Sequence, residues 1–123
     1  MSKKILICDD EQDVALTAKF RLETAGYKVI LAVDGVQSVS SAHKQSPDLI
    51  LLDINMPAGN GNMVFQTLKK SVLTTNIPII FFSALPEIQL KEKTKEFGAS
   101  DYIAKPYDAK EMILKIKKAL GEE

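Results

Sequence analysis

The sequence predicts an α/β protein with a doubly wound, parallel five-stranded sheet, and two features of the chain lead to this prediction. Short continuous apolar runs, mostly rich in β-branched or aromatic residues, occupy residues 5–8, 29–33, 49–52, 77–82 and 102–104. Runs without polar alternation are typical of strands that are buried on both faces of a parallel sheet. Stretches of helical length follow the runs, so a β-α unit is repeated five times. Right-handed connections then place helices on both faces, whereas a barrel of eight such units needs about twice this length.

Each intervening stretch carries apolar residues at helical spacing. We predict helices over residues 11–25, 36–44, 62–73, 86–97 and 108–120. Gly26 fits a left-handed helix stop, Pro86 suits a first helical turn, and Asp108 with Glu111 resembles a capping box. The predicted buried faces, in chain order, are Val14, Ala18, Leu22 and Ala25; Val36, Val39, Ala42 and His43; Val64, Phe65 and Leu68; Leu90, Thr94 and Phe97; and Met112, Ile113, Ile116, Ala119 and Leu120.

The composition indicates one globular domain, which we expect to span residues 1–123. Sixteen basic residues balance sixteen acidic ones, so net charge gives the chain no general attraction to nucleic acid or to an anionic membrane. Single Cys and His residues exclude a disulfide framework and a histidine-rich zinc site. The apolar runs are too short to cross a membrane, and the first residues lack a secretory apolar segment. We therefore expect a cytoplasmic protein, with Cys8 inert in a buried strand and His43 on a helix face.

Polar side chains stand at the carboxyl ends of the predicted strands, which form the ligand-binding edge of such a sheet. Asp9 and Asp10 follow the first run, Asp53 the third, Ser83 the fourth and Lys105 the fifth. If the first and third runs are neighbouring strands, the aspartates converge, and each close pair of like charges costs about 1–4 kcal/mol. Uptake of a proton or binding of a divalent cation relieves this repulsion, and oxygen ligands suit Mg²⁺. For Asp9 or Asp10 alone, capping of the next helix remains an alternative.

Four ordered motifs contain these residues. They read ILICDDE at residues 5–11, LLDINMP at 51–57 with Gly61 beyond it, FSA at 82–84 and DYIAKPY at 101–107. With these motifs the chain resembles the receiver domain of two-component response regulators over nearly its whole length. The resemblance implies a flavodoxin-like sheet with the strand order 2-1-3-4-5.

The resemblance also implies a metal-dependent phosphoacceptor. Asp53 would take a phosphoryl group from a phosphohistidine on a sensor histidine kinase or a histidine phosphotransfer protein. Asp10, Asp53 and the main-chain carbonyl of Asn55 would bind Mg²⁺, and Asp9 would act on the ion through a water molecule. An ionised carboxylate needs no general base for this attack.

The remaining motif residues are implied to read out phosphorylation. Ser83 and Lys105 would each contact a phosphoryl oxygen, and Ser83 and Tyr102 would form the switch. The Lys105–Pro106 peptide bond is usually cis in the family. Such a domain is a signalling switch that catalyses only its own phosphoryl transfer and dephosphorylation, and its output passes to a downstream protein target through the loop after Ser83, residues 86–97 and Tyr102.

Three positions depart from the common pattern of the family. Asn60 stands where Asp is frequent, and we expect only local effects on its loop. Ser83 stands where Thr is common, and its freer side-chain torsion predicts a looser response to phosphorylation. Leu85 is apolar where many relatives are polar, and we expect it to shield the acyl phosphate from water.

Three alternatives remain open from the sequence. A phosphatase of the dehalogenase type carries a second Asp two residues after its nucleophile, where this chain has Asn55. A flavodoxin-like cofactor binder cradles phosphate after its first strand, where this chain is acidic. The chain could also be a receiver domain excised from a larger regulator or hybrid kinase. The lysines of the last predicted helix lack interleaved aromatic residues, so we expect no direct contact with nucleic acid.

Overall fold

The computed structural model describes residues 2–56 and 61–122 and has the predicted architecture. One parallel sheet has the strand order β2-β1-β3-β4-β5, which confirms the predicted α/β fold and its 2-1-3-4-5 order. The strands are β1 (Lys4–Cys8), β2 (Lys28–Ala32), β3 (Leu49–Leu52), β4 (Ile79–Ser83) and β5 (Asp101–Ala104). The helices are α1 (Gln12–Thr24), α2 (Gly35–Gln45), α3 (Gly61–Lys70), α4 (Glu87–Phe97) and α5 (Ala109–Ala119).

Successive side chains along each strand point to opposite faces of the sheet, so the core has two layers, one on each face. Leu6, Leu52 and Phe81 face one side of the sheet and pack with buried residues of α2, α3 and α4. Ile7 and Phe82 face the other side and pack with buried residues of α1 and α5. Because β3 and residues 79–82 of β4 are buried on both faces of the sheet, apolar side chains are strongly favoured there, which explains the continuous apolar runs of the sequence.

The strand register brings the site residues to one edge of the sheet. Cys8 pairs with Leu52 in the neighbouring strand, so Asp9 and Asp53 leave the sheet side by side. Ser83 pairs with Ala104, so Lys105 leaves β5 beside the end of β4. The distances between the site residues therefore follow from the pairing of β1 with β3 and of β4 with β5.

Most predicted element boundaries shift by one residue, and the largest shifts are of two and three residues. The predicted strand 77–82 begins at Ile79, because Pro78 has no amide hydrogen for the ladder, and it includes Ser83 at its end. The predicted helix 62–73 ends at Lys70 and is followed by a series of turns, within which the Thr74 hydroxyl donates to the carbonyl of Leu68 at 2.6 Å. The second strand ends one residue earlier than predicted, at Ala32.

Some predicted buried faces and caps are wrong. In α2 the buried residues are Gly35, Ser38 and Ala42, while Val36 is 78% exposed and His43 is also exposed. Ser38 can be buried because its hydroxyl donates to the carbonyl of Asp34 at 2.7 Å, so no polar group of that side chain is left unpaired. In α1 the buried residues are Ala15, Ala18 and Leu22, whereas Val14 is half-buried and Ala25 is the exposed C-cap.

The caps differ in a similar way. Asp108 caps α5 by accepting from the Lys110 amide, but Glu111 points to Lys115 at 3.5 Å, so the predicted capping box is only half formed. Pro86 is the N-cap of α4 rather than part of its first turn. Within the described parts of the chain, no helix combines the length and the apolar character that crossing a bilayer requires.

Candidate functional site

Three aspartates meet at the carboxyl edge of the sheet. Asp9, Asp10 and Asp53 each present a carboxylate oxygen, and these oxygens lie within 4.8 Å of one another. Two main-chain hydrogen bonds of 2.9 Å fix the chain here, from the Asp9 amide to the Ala32 carbonyl and from the Asp53 amide to the Cys8 carbonyl. Asp9 and Asp53 are buried, whereas Asp10 is exposed. The predicted convergence of the three carboxylates is confirmed.

Lys105 brings the balancing positive charge. Its Nζ lies 2.6 Å from Asp9 Oδ2, 3.1 Å from Asp53 Oδ2 and 3.1 Å from Glu11 Oε1, and its side chain is only 6% exposed. The ammonium also lies 5.0 Å from the centroid of the Phe82 ring. The peptide bond between Lys105 and Pro106 is cis, which confirms what the family resemblance implies.

The electrostatics of this cluster are set by burial and by the lysine. Burial lowers the pKa of the Lys105 ammonium, but the hydrogen bond to Asp9 and the charge of Asp53 outweigh it, so that pKa lies above its ordinary value. Lys105 is therefore fully charged at neutral pH. Burial raises the pKa of the Asp9 carboxyl, while hydrogen bonds from Lys105 and from the Glu11 amide oppose this rise.

Asp53 is oriented from both sides. Its Oδ1 accepts a hydrogen bond of 2.9 Å from the Asn55 amide, and its Oδ2 contacts Lys105. Gly61, the first residue of α3, donates from its amide to the Ile54 carbonyl at 3.2 Å and packs directly against that backbone. The carboxylate thus has a defined direction before any ligand binds, because both of its oxygens are already held.

Ser83 ends β4 and is completely buried. Its hydroxyl oxygen accepts a hydrogen bond of 3.2 Å from the Leu85 amide, and its carbonyl accepts one of 2.8 Å from the Lys105 amide. The second bond ties the ends of β4 and β5 together, so Ser83 and Lys105 are held at the same edge. Leu85 is half-buried and packs against the core layer under α3 and α4.

Tyr102 lies apart from the carboxylates, on β5 beside α4. Its hydroxyl donates to Glu87 Oε2 at 3.0 Å, and the Lys115 ammonium lies 4.2 Å from the centre of its ring. The hydrogen bond to Glu87 raises the pKa of the Tyr102 hydroxyl. These contacts join β5 to the start of α4 and to α5.

Sequence reasoning assigned no role to Glu11, although it stands directly after the acidic pair. Its carboxylate contacts Lys105 and its amide donates to Asp9 Oδ1 at 2.9 Å. Glu11 is also the N-cap of α1, yet its side chain makes no capping hydrogen bond. Glutamate is not among the preferred N-cap residues, and its presence there is the feature of the sequence that could have drawn attention to Glu11. Asn60, one of the three departures from the family pattern, lies outside the described residues.

The donor set fits a magnesium ion. Carboxylate oxygens close enough to share one hard cation are the ligands that Mg²⁺ prefers, and the exposure of Asp10 leaves an open side for water. The single histidine plays no part here: His43 is exposed on α2, with its Nε2 3.1 Å from the Ser71 hydroxyl.

Comparisons with known proteins identify the family of the chain. A family model described as the response regulator receiver domain matches residues 5–117. The DNA-binding dual master transcriptional regulator RpaA of Synechocystis sp. is 38% identical over 117 residues, which cover 95% of this chain and 48% of that protein. The chain spans about half the length of the curated relatives that it matches.

Solved structures give the same result. A putative response regulator from Chloroflexus aurantiacus superposes with a TM-score of 0.93 at 30% identity, covering 99% of this chain and 100% of that one. The receiver domain of the sensor histidine kinase PA1611 from Pseudomonas aeruginosa has a TM-score of 0.90 at 28% identity, again covering 99% and 100%, and holds a magnesium ion in its active-site cleft. Together with the matched motifs, these findings show that the chain belongs to the response regulator receiver domain family.

Proposed function

We propose that this receiver domain accepts a phosphoryl group on Asp53 from a phosphohistidine and thereby switches a protein-binding face. The observation that carries the proposal is the position of Asp53, a buried carboxylate beside two further aspartates and a lysine whose side chain is only 6% exposed. A structural salt bridge needs only one carboxylate for one lysine. Here the excess of negative charge at a fixed nucleophile favours binding of a metal ion, and the ion together with Lys105 would offset the charge of a phosphoryl group.

The transfer step uses groups that are already in place. An Asp53 carboxylate oxygen attacks phosphorus and forms the acyl phosphate, while the phosphorus–nitrogen bond of the donor breaks. The electron pair of that bond stays on the imidazole, which leaves as a neutral ring when its other nitrogen carries a proton. Because Asp53 is held by the Asn55 amide and by Lys105, little freedom is lost at the moment of attack.

Charge on the transferring group is offset from several sides. Lys105 carries a full positive charge at the site and would contact one phosphoryl oxygen, and the Ser83 hydroxyl would donate its hydrogen to another. When bound, Mg²⁺ would offset part of the negative charge that the phosphoryl oxygens carry during transfer. Asp10, Asp53 and the Asn55 carbonyl are the proposed ligands, with Asp9 acting through a water molecule.

The proposed output runs through β5 and α4. A phosphoryl group that draws the Ser83 hydroxyl toward Asp53 changes the loop that leads into α4, where Glu87 holds the Tyr102 hydroxyl. Exchange of the Tyr102 rotamer would then alter the face of α4, β5 and α5 that a downstream protein reads. The donor is a sensor histidine kinase or a histidine phosphotransfer protein, and the domain dephosphorylates itself instead of turning over a separate substrate.

We propose the same switch for the domain on its own and for the domain as the receiver of a larger regulator. RpaA is described as DNA-binding, and PA1611 is a sensor kinase, so receiver domains serve both kinds of protein. The phosphoryl chemistry is the same in each case. We propose that residues 1–123 contribute the switch and make no direct contact with nucleic acid.

Intact-mass spectrometry tests the proposal. Incubation with Mg²⁺ and acetyl phosphate is expected to add one phosphoryl group, which Asp53→Ala abolishes and Asp10→Ala strongly reduces. Asp13→Asn, which removes an acid from the exposed first turn of α1, is the matched control and should label normally. Full labelling of the Asp53→Ala protein would refute the assignment of the phosphoacceptor.

A further inference from the structure

The three contacts of the Lys105 ammonium determine whether it is available to a phosphoryl group. An ammonium has three N–H donors, and Lys105 Nζ contacts three carboxylates, those of Asp9, Asp53 and Glu11. Every donor therefore has a partner before a phosphoryl group arrives. If Lys105 is to donate to a phosphoryl oxygen, as the proposed function requires, one of these contacts has to open.

The three partners differ in what their release costs. The Asp9 carboxylate has an exposed fraction of 0% and makes the shortest contact, 2.6 Å, so releasing it would leave a buried charge unpaired. Asp53 carries the phosphoryl group itself. The Glu11 side chain is 55% exposed, and water can solvate its carboxylate once Lys105 turns away.

The position of Glu11 is otherwise unexplained by local structure. It is the N-cap of α1, where a short side chain would accept from the first helical amides, yet its carboxylate makes no such bond and contacts Lys105 instead. Its main-chain amide donates a hydrogen bond to Asp9 Oδ1, which keeps the residue beside the carboxylate cluster.

We propose that Glu11 is a positioning residue that holds Lys105 in the unphosphorylated state and competes with the phosphoryl group for one N–H of its ammonium. This inference rests on the proposed phosphoacceptor function. Glu11 keeps Lys105 over the site while Asp53 is free, and it weakens the phosphorylated state because its contact must be given up. The residue at this position therefore sets how strongly the domain favours the phosphorylated conformation.

A double-mutant cycle with beryllium fluoride, a mimic of the phosphoryl group on an aspartate, tests this competition. Binding is followed at saturating magnesium by ¹H–¹⁵N spectra of wild type, Glu11→Gln, Lys105→Met and the double variant. Glu11→Gln is expected to bind the mimic about two- to fivefold more tightly than wild type, the range for an ion pair with one exposed partner. In the Lys105→Met background the same substitution should have no effect.

A simple loss of negative charge gives a different pattern. Asp13→Asn removes a charge from the same turn of α1, and its affinity for the mimic should match wild type. An equal gain in affinity from Glu11→Gln in the wild-type and Lys105→Met backgrounds would mean that the glutamate only repels the anion. No gain in either background would mean that Glu11 does not compete for Lys105. Each of these two results overturns the inference. If wild-type protein neither binds beryllium fluoride nor labels with acetyl phosphate, the proposed function itself fails and the inference falls with it.

Discussion

Replacing Gly61 with alanine tests how closely α3 must approach the end of β3 for the site to form. An alanine Cβ at this position would lie 2.2 Å from Ile54 Cα and 2.5 Å from the Asp53 carbonyl oxygen. Carbon atoms in contact are normally about 3.5–4.0 Å apart, so the added methyl group cannot be accommodated without movement. The obstructing atoms belong to the backbone, and no side-chain rotation can relieve the clash.

The cost of Gly61→Ala follows from this geometry. Overpacking of a core by a methyl-sized group costs about 1–3 kcal/mol when side chains can shift. Because Gly61→Ala has to displace the backbone of residues 53–54, we expect a loss of about 3 kcal/mol in the free energy of unfolding. For a domain of this size the melting temperature should fall by about 10 °C or more.

The displaced backbone carries the Asp53 carboxylate, so labelling should suffer as well as stability. A shift of about 1 Å in a reacting group can cost up to about a hundredfold in rate, and we expect labelling by acetyl phosphate to slow at least tenfold. Thermal unfolding and intact mass measure the two effects. Gly98→Ala is the control, because its φ of +78° strains an alanine while nothing lies within 4 Å of the added atom. It should lose about 1–2 kcal/mol and label at the wild-type rate. A Gly61→Ala protein with wild-type melting temperature and labelling rate would refute this reasoning.

Three further predictions concern reactivity, stability and lifetime. Burial raises the pKa of the Cys8 thiol to about 12, so iodoacetamide at pH 8 should alkylate it only after denaturation, and rapid alkylation of folded protein would contradict its burial. Thr74→Val leaves the Leu68 carbonyl without its buried 2.6 Å partner, and urea unfolding should show a loss of about 1–3 kcal/mol, whereas Thr67→Val on the exposed side of α3 should change little. Leu85→Glu admits water beside Ser83, and the acyl phosphate of this variant should hydrolyse at least about threefold faster than wild type. An unchanged half-life would remove the shielding role of Leu85.

The fold could be predicted from the sequence because its strands are buried on both faces. Burial on two sides favours apolar residues, so β3 and residues 79–82 of β4 appear as unbroken apolar runs, and the polar residues that come directly after these runs mark the functional edge. Asp9, Asp53 and Lys105 could be grouped before any distance was known, because parallel strands all present their carboxyl ends at one edge.

Other features depend on individual side-chain contacts, and the sequence pattern did not predict them. Ser38 is buried because it returns its hydrogen bond to its own helix, and a hydropathy pattern does not register that bond. Beyond the end of α3, the Thr74 hydroxyl donates to a carbonyl of that helix six residues earlier. The contact between Glu11 and Lys105 joins residues 94 positions apart, and the angle of α1 against the end of β5 decides whether they meet.

Reductive trapping of the acyl phosphate bears most directly on the proposed chemistry. Borohydride converts an aspartyl phosphate to homoserine, and peptide sequencing by mass spectrometry then locates the converted residue. After incubation with Mg²⁺ and acetyl phosphate, homoserine should appear at position 53 and at no other aspartate, and omission of Mg²⁺ should prevent its formation. Homoserine at Asp9 or Asp10, or a stable phosphate on a hydroxyl or on His43, would contradict the assignment of Asp53 as the phosphoacceptor.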